Sequence, residues 1–317
     1  MPRQLVVLAV AGLVAGLSGC GSEEALRHTG LGYVLYNQKK LDEALQEFED
    51  AVQLDDRLAI AFAKIGDINR EQGRLDESVV PYRRAIELLP MEFEYRFSLG
   101  TVYQALGRER EAVDTYQGAA DLRPRNVPTR VNMSVCYFQL KEYDKALEHC
   151  QKAVDLEPTN VFAWSNLGAI YDILGRRYEA EQAYHKALEQ NPNEAAVYIN
   201  LGTVYLKQCR YDEAIEAFKK ALSLDPDNAV AHKRLAFAFN KQRKYNVAIE
   251  ELERCLELDA KDYEAMNSLA AIYMLFYRSH PNQRELHNKA IELWHKSLET
   301  NPKQPEVELL IKKWSEL

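Results

Sequence analysis

The side chains best suited to chemistry are few: five Cys and seven His in 317 residues. Cys20 stands just after an apolar stretch, and its thiolate would be a nucleophile. The other four cysteines, Cys136, Cys150, Cys209 and Cys255, are widely separated, with no CxxC pair among them. His287 and His295 lie eight residues apart, too far for adjacent turns of one helix and so for a shared metal. No Gly-rich phosphate loop, HExxH or nucleophile elbow occurs. Asn132-Met133-Ser134 has the form of a glycosylation acceptor but falls inside a helical stretch. The expectation is a chain that is not an enzyme, with no cofactor, no metal site and no small-molecule substrate.

The elements that would carry these groups are helices. Apolar residues make up 47% and charged residues 28%, the balance of a folded protein. Eighteen Tyr stand against only 14 Gly and 11 Pro, too little punctuation for a strand-and-turn fold. Leu, Ala, Glu, Lys and Arg, strong helix formers, fill the rest. The formal charge is −8, and acids and bases alternate, as in Glu148-His149-Cys150-Gln151-Lys152. Without a basic face to displace counterions from phosphates, nucleic acid is not an expected partner.

Leu5 to Leu17 is apolar apart from glycines and follows Arg3. It is shorter than the roughly 20 residues that span a bilayer, and reads as a signal-peptide core. Leu17-Ser18-Gly19-Cys20 resembles the lipobox of bacterial lipoproteins: an aliphatic residue, two small residues and the cysteine that receives lipid. The resemblance implies a signal peptide over 1–19, a diacylglyceryl group on Cys20, and a tether over 20–24. Several acyl chains on one residue make such anchoring stable. Gly21 is not the aspartate that commonly retains lipoproteins at an inner membrane. The implied location is the cell envelope, on the outer membrane facing the periplasm where the host has two membranes.

The mature chain repeats every 34 residues. Ala44, Ser78, Ala112, Ala146, Ala180, Ala214 and Ala248 form one column of small residues. Ala51, Ala85, Ala119, Ala153, Ala187, Ala221 and Cys255 form a second, seven residues later. Gly32, Gly66, Gly100, Ser134, Gly168, Gly202, Ala236 and Ala270 form a third. Each period contains two apolar-periodic stretches around a short polar turn, an αα-hairpin. Small residues belong where the two helices touch. Pro90, Pro124, Pro158, Pro192, Pro226 and Pro302 end the second helices, and Gly73, Gly107 and Gly175 fall in the turns.

Trp164, Leu167, Gly168, Tyr171, Gly175, Ala180, Tyr184, Ala187 and Pro192 match the signature of the tetratricopeptide repeat, and the chain is identified as a member of that family. The resemblance implies an all-α fold, a right-handed α-solenoid of about eight hairpins over 25–302. The units start near Ala25, Ala59, Phe93, Val127, Val161, Ala195, Ala229 and Tyr263. The first is atypical at His28 and Asp56, the seventh at Leu252 and Cys255. The eighth carries about eight extra residues around Arg278-Ser279-His280-Pro281. Val307, Leu310, Ile311 and Trp314 would line one face of a capping helix over 303–317. Cys150 and Cys255 occupy core columns. Cys136 and Cys150 share a hairpin, where packing as separate thiols and pairing in an oxidising compartment both stay open.

Family geometry makes the second, fifth, ninth, twelfth and thirteenth positions of each first helix the lining of a concave face. In units three to six these include Phe97, Val131, Val135, Phe138, Gln139, Phe162, Asp172, Ile173, Ile199 and Leu206. The apolar members suggest a groove for a peptide segment or helix of a partner protein. Packing of the same side chains between repeats is the other reading. The ninth positions hold no Asn, so the carboxylate-binding arrangement of co-chaperones is not expected. The expected function is that of a membrane-anchored scaffold in the envelope. It looks similar to pilotins of secretin rings and to adaptors that gather peptidoglycan enzymes. An accessory subunit for polysaccharide secretion or glycosyl transfer is the alternative.

Overall fold

A computed structural model describes residues 23–315, so Cys20 and the lipobox lie outside the described residues. Among these residues there are seventeen helices and no strand. They divide after Pro158 into two compact units. The first holds α1 (Glu23–Asn37), α2 (Leu41–Leu54), α3 (Ala59–Glu71), α4 (Leu75–Leu88), α5 (Phe93–Ala105), α6 (Glu109–Leu122), α7 (Val127–Gln139) and α8 (Tyr143–Leu156). The second holds α9 (Val161–Ile173), α10 (Arg177–Gln190), α11 (Ala195–Lys207), α12 (Tyr211–Leu224), α13 (Ala229–Lys241) and α14 (Tyr245–Leu258). It continues with α15 (Tyr263–Ser279), α16 (Arg284–Thr300) and α17 (Pro305–Ser315).

Local sequence explains these boundaries. Asn126, Asn160, Asn228 and Asp262 each accept the backbone N–H three residues on, satisfying a donor that the start of a first helix would leave unpaired. The first helix of the eighth hairpin is followed by His280 at φ −138°, while those of the first seven end in a left-handed residue. Gly73, Gly107 and Gly175 take it at φ of 68–76°. Lys39, Lys141, Cys209 and Arg243 take the same place at about 60°, a conformation that costs a residue with a Cβ more than it costs glycine. In those seven the residue after the left-handed one bonds back across five residues, as Arg74 N–H does to Asn69 O at 2.8 Å, closing a Schellman motif.

Each first helix packs on its own second helix, and within a unit each second helix packs on the first helix that follows it. The hairpin core is a contact between one small residue and one large one. A Cβ placed on Gly100 would stand 2.5 Å from the Tyr116 ring, and on Gly168 2.7 Å from that of Tyr184. Gly32 with Phe48, Gly66 with Tyr82, and Gly202 with Phe218 repeat the arrangement. Where the small residue gains a side chain, the ring is lost in two hairpins: Ser134 pairs with Cys150, and Ala236 with Leu252. The eighth keeps Ala270 with Trp294.

Three details differ from the sequence reading. Glu23 and Glu24, expected in a tether, form the first turn of α1, because acids at a helix N-terminus favour the helical state. The extra residues of the eighth unit, left without an element in the sequence reading, extend both of its helices. α15 and α16 each run 17 residues, against 13 and 14 in the α13–α14 hairpin. The last helix starts at Pro305, and Leu310 is exposed, while Val307, Ile311 and Trp314 pack on the core. Trp314 sits edge-on to Tyr277 at 6.5 Å, and its carbonyl accepts from His287 Nε2 at 2.8 Å. The lengthened hairpin thus supplies the seat for α17.

Candidate functional site

Consecutive first helices touch from α3 through α7 in the first unit and from α9 through α13 in the second, so their outward positions form a continuous face within each. In the first unit that face is largely occupied by its own side chains. Lys64 Nζ lies 2.6 Å from Asp67 and over the rings of Tyr33 and Tyr36, at 5.8 and 5.1 Å. Tyr82 donates to Asp67 at 2.5 Å, and Tyr36 donates to Glu71. Burial, then the neighbouring carboxylates, push the Tyr36 and Tyr82 hydroxyls well above the usual phenol range.

The predicted lining residues of this unit are also drawn inward. Phe97 stacks on Phe93 at 5.6 Å and tilts against Tyr116 at 5.9 Å. Phe138 meets the edge of Tyr143 at 5.5 Å. Both, with Val131 and Val135, are half-buried, and Gln139 is exposed.

The second unit differs. Phe162 is 69% exposed and Ile173 50%, whereas Ile199 and Leu206 are partly buried against the core. Asp172 is held by Lys207 at 2.7 Å. The positional rule also applies to the seventh hairpin. There Val230 and Phe237 are each 46% exposed. They line a groove of about 370 Å³ between α13 and α15, shared with Lys233, Arg234, Asn240 and Glu264.

Lys233 bonds both Asp262 and Glu264 at 2.7 Å, and against the cost of burial these two hold its ammonium above the usual value. Arg234 has no acidic partner, and its Nε is shielded from water without a hydrogen bond. Asn166, Asn200 and Arg234 share the sixth position of successive first helices. This polar column was missed because it sits beside the positions the family rule names.

Cys136 and Cys150 are buried and not joined to each other. Desolvation pushes both thiols up to about 12 and Cys255 to about 11, values that suit packing rather than reactivity. Among the described residues no group of three or more His, Cys, Asp or Glu is placed to hold a metal, and no helix is long and apolar enough to cross a membrane.

A family model described as the cilia and flagella-associated protein 70 C-terminal domain matches residues 59–271, and a tetratricopeptide-repeat model matches 30–64. The chain belongs to the tetratricopeptide-repeat family. Among solved structures it is similar to the Cut9–Hcn1 hetero-tetramer of the APC/C, with a TM-score of 0.62, 17% identity, and 96% of this chain and 58% of that one covered. A tetratricopeptide repeat protein from Parabacteroides merdae gives 0.62 at 15% identity, covering 79% and 99%. PilF of Pseudomonas aeruginosa gives 0.57 at 20%, covering 67% and 96%. At these identities the likeness is one of fold. No curated protein matches the chain.

Proposed function

We propose that the chain is a non-catalytic scaffold that holds an extended peptide segment of a partner protein along the first-helix face of its second unit. One observation carries this reading. Phe162, Ile173, Val230 and Phe237 present apolar surface there, beside a column of Asn166, Asn200 and Arg234 at the sixth position of successive first helices. Apolar side chains bind by area removed from water, and amides offer a donor and an acceptor to a peptide backbone.

Lipid on Cys20 would hold this face at the envelope membrane, where confinement raises the effective concentration of a captured partner. The finer role we infer is pilotin-like or that of an adaptor for peptidoglycan enzymes, with an accessory subunit of polysaccharide secretion or glycosyl transfer as the alternative. A further neighbour, YrrB, is described as a TPR protein with an unusual peptide-binding site, and has a TM-score of 0.50 at 23% identity over 58% of this chain and 95% of that one.

The test is a crosslinking pull-down from membranes of the native host, comparing wild type, Phe162→Glu with Phe237→Glu, and Cys20→Ser. The expected result is a secretin or wall enzyme captured by wild type and lost in the double variant. Cys20→Ser is expected to move the protein out of the membrane fraction. Capture that survives both charged substitutions would refute the first-helix face as the binding surface.

A further inference from the structure

The groove between α13 and α15 has a chemistry more specific than peptide binding in general. Val230, Arg234 and Phe237 are spaced by four and three residues, so they stand on one face of α13 in the order apolar, cationic, apolar. Val230 and Phe237 are equally exposed. Glu264 is the carboxylate lining the groove, and it is taken by Lys233. Arg234 is left with an Nε that is buried and unbonded. The Arg234 guanidinium lines the groove without an acidic partner of its own, and its planar fork fits a carboxylate with two parallel hydrogen bonds.

From this juxtaposition we propose that the groove takes a segment of a partner protein in which an Asp or Glu side chain lies between two bulky apolar residues. The acid is internal rather than a chain terminus, because apolar surface flanks Arg234 on both sides along the helix. The inference rests on the peptide-binding reading and gives it a recognition rule. Arg234 supplies the charge-assisted contact, while Val230 and Phe237 seat the flanking side chains.

The experiment is selection of a randomised twelve-residue peptide library, displayed with a fixed C-terminal fusion so that no terminal carboxylate is offered. The bait is the full chain, as wild type, Arg234→Gln, Arg234→Lys and Phe237→Glu, each checked for an unchanged melting temperature. Wild type is expected to enrich Asp or Glu flanked by apolar residues. Replacing that acid with its amide in a recovered peptide is expected to weaken binding about tenfold or more, the range of hydrogen bonds to charged groups. With Arg234→Gln the acid and amide peptides are expected to bind alike, and Arg234→Lys to keep part of the preference.

Enriched peptides that lack an acid, yet lose binding with Phe237→Glu, would overturn the recognition rule and leave the peptide groove standing. An acid enriched only at the last residue of a parallel library with free C-termini would overturn the internal placement. No enrichment by wild type in either library would overturn the rule together with the reading beneath it.

Discussion

Asn69 compensates for Pro81: its Nδ2 donates to the carbonyl of Glu77 at 3.4 Å, the oxygen that a residue with an N–H at position 81 would have bonded. Asn69 is buried, and its Oδ1 accepts from Arg74 Nε at 3.0 Å. Other hairpins mostly carry Tyr or Phe at this place, as at Tyr103, Tyr171 and Phe239. The polar residue and the mid-helix proline therefore belong together. Asn69→Leu is expected to cost about 1–3 kcal/mol, the range for leaving a shielded polar group without its partner. The same change in a Pro81→Ala background should cost less, since the helix then supplies the missing donor. A double-mutant cycle by urea unfolding checks this, and additive effects would break the link.

The hairpin cores make an opposite kind of test. Gly→Ala inside a helix ordinarily stabilises by about 1 kcal/mol. At Gly168 the added Cβ would meet the Tyr184 ring at 2.7 Å. Packing should reverse the sign, giving a net loss of about 1–3 kcal/mol for Gly168→Ala. Adding Tyr184→Leu should recover part of it, since the seventh hairpin already uses Ala236 with Leu252. Thermal unfolding of the single and double variants decides the matter. A stabilised Gly168→Ala would show that the ring yields freely.

These two cases mark what the sequence made legible. The three small-residue columns revealed the period because close approach of two helices excludes side chains in every hairpin. The starts of α3 at Ala59 and α13 at Ala229 fall where those columns put them. The lining was less legible, because position in a repeat fixes the direction of a side chain but not its accessibility. Phe97 and Lys233 share the fifth position, yet Phe97 is stacked on Phe93 while Lys233 lines an open groove. That difference is set by what the neighbouring first helix carries. Arg234 was overlooked for the same reason, since only the three-dimensional arrangement shows its Nε unpaired.

Thiol reactivity separates the cysteines. Cys136, Cys150 and Cys255 are fully buried, with thiols pushed well above their ordinary value. Cys209 is exposed in the turn between α11 and α12. Brief alkylation of the native protein at pH 8, followed by peptide mapping, should label Cys209 at least tenfold faster than the other three, because the thiolate is the reactive form. Equal labelling of all four would mean that the hairpins open on the timescale of the reaction.

The last prediction concerns acid. His149 is buried, stacks on Tyr137 at 5.3 Å, and faces the Arg130 guanidinium, whose Nη1 stands 3.4 Å from Nδ1. Desolvation first, and then the charge of Arg130, lower its pKa to about 4. The unfolded ring titrates near 6.5, so between about 4 and 6.5 the unfolded chain binds a proton that the folded chain refuses. Stability from this residue is therefore complete above pH 6.5 and is lost as pH falls toward 4. The full span is worth roughly 3 kcal/mol at about 1.4 kcal/mol per pH unit. Urea midpoints measured from pH 7.5 to 4.5 should fall for wild type and fall less steeply for His149→Gln. Identical slopes would assign the acid sensitivity to other groups. Arg130→Gln should act in the same direction as His149→Gln but by a smaller amount, because burial remains when the neighbouring charge is gone.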